Sequence, residues 1–219
     1  EMQRSLVGSE MCIRDSSMAG QKISKIFVNS EEHGVQNVSM NIYVMERKLL
    51  IDEIKKGFVL GNKFFERDVL APQTEKLNIQ GYEFTGYQAR IDDMKSYFDE
   101  NMKLLKDENL DSLFSGNPIY TKVRDDNPTR YINGSKAKNV MVADGCVIEG
   151  EIENSILFRG VKVAKGAKVK NCILMQDTVI EAGAEIEYVV SDKYVTVSEG
   201  KQLKGTDSFP VFIAKDQVV

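Results

Sequence analysis

A short template recurs four times towards the end of this chain: Val142-Ala-Asp-Gly-Cys-Val-Ile148, Val163-Ala-Lys-Gly-Ala-Lys-Val169, Ile180-Glu-Ala-Gly-Ala-Glu-Ile186 and Val197-Ser-Glu-Gly-Lys-Gln-Leu203. An aliphatic residue is followed three positions later by glycine and six positions later by a second aliphatic residue. The last three copies start 17 residues apart, and Asn154-Ser-Ile-Leu157 returns as Asn171-Cys-Ile-Leu174 at the same interval. Such a unit cannot bury its apolar face alone and must stack on its neighbours. A six-residue rhythm inside a longer coil predicts a parallel β-helix of hexapeptide repeats over about residues 137–205. The tail Phe209–Val219 is apolar enough to add a strand to the last coil or to cap it.

Composition narrows the function classes. A formal net charge of −4 argues against a nucleic-acid surface, which is normally basic, and no apolar run reaches a membrane span. Cys12, Cys146 and Cys172 have neither zinc-site spacing nor the density of a secreted disulfide scaffold, so a reducing cytoplasm is expected, with Cys146 and Cys172 as buried thiols. The single histidine, His33, lies far upstream of the repeats, which argues against a hexapeptide acyltransferase with a histidine in or near its coil.

The first 17 residues show no helical or strand period, and Ser5–Ser16 resembles translated sequencing-adapter read-through, so 1–17 is expected to be a non-native leader. Residues 18–114 read as part of an α/β domain. Strands are expected at Lys22–Val28 and Val38–Val44, a helix over Glu46–Lys56 stopped by Gly57, and a helical stretch over Phe64–Leu70. One or two strands follow at Leu77–Phe84, and a helix with Ile91, Met94, Tyr97, Phe98, Met102 and Leu105 on one face spans Asp92–Leu105. Residues 115–136, with Pro118 and Pro128, read as an extended linker, and 137–219 as the β-helix with its tail.

The segments Val38-Ser-Met-Asn-Ile-Tyr-Val44, Gly86-Tyr87, Ser96-Tyr97-Phe98, Asn101-Met102, Asn117-Pro-Ile-Tyr-Thr121 and Gly145-Cys-Val-Ile-Glu-Gly150 through Asp177-Thr-Val-Ile180 together resemble ADP-glucose pyrophosphorylase, the glucose-1-phosphate adenylyltransferase of bacterial glycogen synthesis. The resemblance covers about Lys22–Gly205 and implies a Rossmann-like nucleotidyltransferase domain followed by a left-handed β-helix.

Departures from that family's pattern carry the functional expectation. Catalytic members have a Glu-Lys-Pro segment whose lysine pairs with the sugar phosphate. Counted back without gaps from Ser39-Met40, it falls on Val28-Asn29-Ser30, so Val28 and Asn29 replace the glutamate and lysine. A phosphate without that cation loses a charge-assisted contact. Catalytic members also have Gly-Tyr-Trp-x-Asp, whose aspartate helps to hold magnesium; Gln88 and Arg90 stand in place of its tryptophan and aspartate. A guanidinium repels the cation and cannot ligate it. A register slip that brings in Asp92 or Asp93 is the alternative, and the ungapped match resuming at Ser96-Tyr97 argues against it.

The resemblance therefore implies the non-catalytic, GlgD-type branch of that family: no catalytic or metal-ligating residue in this chain, Ser39 as a remnant of the sugar site, and magnesium held by a catalytic partner subunit in a mixed tetramer. The alternative is an active sugar-phosphate nucleotidyltransferase. Family effectors are sugar phosphates or phosphate, for which Lys122, Arg124 and Arg130 are the candidates. Lys162, Lys165, Lys168 and Lys170 are read as solvated outward positions, and Asp125-Asp126 as a turn.

Overall fold

The structure is a computed structural model that describes residues 13–19, 22–28, 38–116, 119–121 and 124–219, with only the backbone of 13–19 and of Val28. The chain divides into two compact units, 1–85 and 86–219.

In the first unit, β1 (Ile13–Ala19) pairs antiparallel with β2 (Lys22–Val28). Residues 13–17, within the stretch that reads as a non-native leader, take part in this ladder, since backbone pairing needs no apolar alternation. On its other side β2 meets residues 79–80, where the Ile23 N–H donates to the Ile79 carbonyl at 2.9 Å. No strand forms over Val38–Val44: Asn41 has φ 56°, a left-handed conformation that interrupts an extended run. Helix α1 (Arg47–Leu60) passes through Gly57 and stops at Gly61. With φ 73°, Gly61 donates its N–H to the Phe58 carbonyl, and Asn62 donates to Gly57, a Schellman-type end. Gly57 stays helical because it is buried against Asn62 and Val69. A π-helical turn, Phe65–Leu70, and a 3-10 turn, Ala71–Gln73, follow.

The second unit is built on a parallel β-solenoid with three faces. Its first face stacks Arg130–Tyr131, Val147–Ile148, Lys162–Val163, Val179–Ile180 and Thr196–Val197 in register. Long strands such as Glu151–Leu157 bend at a corner and supply the other two faces. Pairing at Arg130 shows that the first coil starts inside the stretch read as a linker. Inward columns, including Ile148, Val163, Ile180 and Val197, are almost fully buried, each side chain contributing about 1.5–3 kcal/mol of hydrophobic stabilisation.

Corners set the phase of the repeat. Gly166, Gly183 and Gly200 turn the first face into the second, whereas Gly145 turns the third into the first, so the copy starting at Val142 occupies a different corner from the other three. Between Ile148 and Ile152 the first-to-second corner is two residues shorter than between Val163 and Val169. Gly150 makes this possible, since a Cβ there would lie 2.4 Å from the Ala167 carbonyl oxygen. The tail adds the strand Val211–Ile213 beside Val189–Ser191, and Ser198 donates its N–H to the Val219 carbonyl at 2.8 Å.

The third face is apolar on its outer side too. Outward Ile173 and Val190 are fully buried because α2 (Met94–Lys103) lays Phe98 on them, with Met94, Tyr97 and Met102 around it. A further helix, α3 (Asp107–Phe114), follows where no element was expected; its eight residues give too short a period to read from sequence alone.

Two outcomes are expected. Gly150→Ala destabilises the chain by about 1–3 kcal/mol in urea unfolding, the cost of overpacking against backbone. Burial pushes the Cys172 thiol up from 9.0 to about 12, so the folded state retains a proton that the unfolded state loses. Its contribution is intact below pH 9 and is lost as pH rises from 9 towards 12, by about 1.4 kcal/mol per pH unit. A Cys172→Ala variant, compared with the parent across that range, isolates this slope.

Candidate functional site

The positions singled out by the family resemblance fall in both units. In the first unit, Val28 ends β2, and Asn29 lies outside the described residues. The Ser39 hydroxyl accepts the Asn41 N–H at 3.1 Å, and the Tyr43 hydroxyl donates to Asn41 Oδ1 at 3.4 Å and to Glu66 Oε1 at 3.3 Å. Burial raises the Tyr43 hydroxyl above its ordinary value; the Ser39 hydrogen bond opposes this and the Glu66 carboxylate adds to it.

In the second unit, Gln88 and Arg90 precede α2. The Arg90 Nε sits 2.8 Å from Asp92 Oδ2. Asp93 is the N-cap of α2: its Oδ1 accepts the Ser96 N–H at 2.7 Å, while the Ser96 hydroxyl accepts the Asp93 N–H at 3.0 Å. Hydrogen bonds from Ser96 hold the Asp93 carboxyl below the usual carboxylate range. Both aspartates are thus engaged locally, one by a guanidinium and one by a helix end.

The effector candidates separate. Lys122 lies outside the described residues. Arg130 stands on the outer side of the first face, and among the described residues no carboxylate pairs with it. Arg124 approaches Asp126 Oδ2 at 3.6 Å, and Arg159, a residue not singled out from sequence, approaches the same oxygen at 3.8 Å. That oxygen is buried and accepts no hydrogen bond among the described residues. Two guanidinium groups therefore flank one carboxylate without saturating it, leaving donors available to an anion. Arg159 precedes the corner glycine Gly160, so only the stacking of the coils reveals it.

The lysines of the solenoid point outward, as read from the alternation. On the second face, stacked Lys136 and Glu151 pair at 2.6 Å, and Lys168 and Glu185 at 2.7 Å. The neighbouring column pairs Lys138 with Glu153 at 3.0 Å.

Residues 122–208 match the family model described as GlmU-like, C-terminal hexapeptide. The Glycogen biosynthesis protein GlgD of Bacillus subtilis is 41% identical over 82% of this chain and 52% of its own length. Its namesake from Geobacillus stearothermophilus is 41% identical over 60% of this chain and 38% of its own length. The chain belongs to the family of GlgD and glucose-1-phosphate adenylyltransferase. A Glucose-1-phosphate adenylyltransferase of Clostridium perfringens strain SM101 is 29% identical over 84% of this chain and 48% of its own length. The chain spans about half the length of the curated relatives it matches. Among the described residues, no helix is long and apolar enough to cross a membrane.

The engagement of Asp93 predicts a structural role. Asp93→Ala frays the start of α2, and the Ser96 and Tyr97 amides exchange roughly five-fold faster, as loss of a helix cap implies. Asp92→Ala leaves those amides unchanged in the same hydrogen-exchange measurement.

Proposed function

We propose that this chain is part of a regulatory, non-catalytic subunit of glucose-1-phosphate adenylyltransferase, acting in the cytoplasm in bacterial glycogen biosynthesis. The reaction it serves joins ATP and glucose 1-phosphate to give ADP-glucose and diphosphate, with magnesium held by the catalytic partner in a mixed tetramer.

The observation that carries this reading is Arg90. It stands where the family pattern has a magnesium-binding aspartate, and it holds the nearby Asp92 in an ion pair at 2.8 Å. Phosphoryl-type transfer depends on positioning and on neutralising the charge that builds on phosphate oxygens. A cation in a metal-ligand position opposes the metal and occupies the carboxylate that a shifted register would recruit. Asp93, the other carboxylate within reach of such a shift, caps α2. The higher identity to GlgD, 41% against 28–33% for the matched adenylyltransferases, supports the same branch. An effector of sugar-phosphate or phosphate type would use Arg124 together with Arg159, whose guanidinium groups flank Asp126. Lys122 and Arg130 remain effector candidates on the family resemblance alone.

An adenylyltransferase assay on the intact protein, alone and mixed with the catalytic subunit of the same genome, tests the reading. No turnover alone, with a changed maximal rate or effector half-saturation in the mixture, is the expected result. Arg159→Ala then weakens the effector response about tenfold, in line with loss of a charge-assisted contact. Robust turnover by the protein alone, abolished by Asp92→Ala, would overturn it in favour of an active nucleotidyltransferase.

A further inference from the structure

The corner between the second and third solenoid faces carries a ladder of asparagines. Asn139, Asn154 and Asn171 stack there on successive coils, each with φ 50°. Asn139 Nδ2 donates to Asn154 Oδ1 at 2.6 Å, and Asn154 Nδ2 donates to Asn171 Oδ1 at 2.7 Å. On the next coil the same corner is Tyr188, with φ 52°. The amide ladder therefore stops, and among the described residues the Asn171 amide has no side-chain acceptor above it. The Tyr188 ring instead meets Phe98 of α2, with centroids 6.0 Å apart.

These groups share an open cleft of about 340 Å³ between the corner and α2, within the second unit. The turn Thr206–Phe209, which enters as an insertion before the last strand, contributes Asp207 to the lining. Lys106 lies on the rim with no carboxylate partner among the described residues, and Asp207 is held only by Lys95 at 3.8 Å. Lys103 pairs with Glu100 at 2.6 Å and Asp99 pairs with Lys95, which leaves the charges of Lys106 and Asp207 to offset one another, so the lining has no net charge to select an anion. What it offers is amide and ammonium donors on one side, a carboxylate acceptor on another, and aromatic faces between them. That combination suits a ligand whose hydroxyls both donate and accept, and whose ring presents C–H groups to an aromatic face. The volume lies at the small end of ligand sites and fits one compact ligand.

We propose that this cleft is a carbohydrate subsite that seats one neutral pyranose unit against Tyr188, its hydroxyls shared among Asn171, Lys106 and Asp207. Binding here is independent of whether the intact protein modulates a catalytic subunit, and the two assays fail separately. The test is ligand-observed saturation-transfer NMR and calorimetric titration of the chain with glucose, maltose and inorganic phosphate. Glucose and maltose bind, with dissociation constants on the order of millimolar for so few contacts. Lys106→Ala and Asp207→Ala, both on exposed rim positions, each weaken sugar binding about three- to tenfold, as loss of single hydrogen bonds implies. Tyr188→Phe keeps the ring and leaves binding within about twofold. Absence of binding by both sugars overturns the assignment, as does sugar binding that neither rim variant alters. Phosphate binding without sugar binding overturns it in favour of an anion site.

Discussion

In-register stacking of parallel coils is the constraint on which the rest of the second unit depends. A single coil has one apolar edge and nothing to bury it against; the next coil supplies both hydrogen-bond partners and side-chain contacts. Each residue then sits directly above its equivalent, at about the 4.8 Å spacing of neighbouring strands. Any side chain that repeats becomes a column. For Ile148, Val163, Ile180 and Val197 the column is the core. For asparagines at the left-handed corner it is an amide ladder. For charged residues it would be a line of repulsion, and here it is avoided by alternation: Lys136, Glu151, Lys168 and Glu185 follow one another on the second face. Exposed ion pairs contribute little individually. Their alternation matters because like charges directly opposite one another are destabilising.

The same stacking explains why α2 belongs with the solenoid. The outer side of the third face repeats Ile156, Ile173 and Val190, an apolar column that water would meet without a cover. Phe98 supplies that cover, and its helix is held at its start by the reciprocal Asp93–Ser96 hydrogen bonds. Tyr188 serves two structures at once: its backbone takes the left-handed corner conformation, and its ring packs against Phe98. An asparagine there would extend the ladder and give up the aromatic contact.

The solenoid was legible because its period is written into residue types that do one job each. Glycine at a left-handed corner and an aliphatic residue at an inward position leave little freedom. Its phase was less legible. The copy at Val142 matches the template yet turns a different corner, because a glycine between aliphatic residues suits either turn. Gly57 has the propensity of a helix stop but is helical, since tertiary contact with Val69 decides there and propensity does not. Val38–Val44 has strand-like composition, yet Asn41 breaks it. Two-residue strands such as Arg130–Tyr131 exist only through their partners and leave no local signal. At the candidate site, Gln88 and Arg90 stood out as departures from a pattern. Arg159 and Tyr188 did not, since what distinguishes each is a neighbour one coil away.

The Arg90 segment and the solenoid are joined by an element with little freedom to switch. Arg90 pairs with Asp92, the next residue caps α2, and α2 is fixed on the third face through Phe98. Coupling between distant sites requires an element with two arrangements of similar free energy. Phe98 is almost fully buried, and moving it would expose Ile173 and Val190 together. Releasing that contact costs several kcal/mol of apolar burial, which makes α2 a strut and not a switch. On the regulatory reading, influence from this chain therefore acts through what it binds and how it assembles. The side chains available for that are Arg124 and Arg159, which flank the unsaturated Asp126 oxygen, and those that line the asparagine cleft.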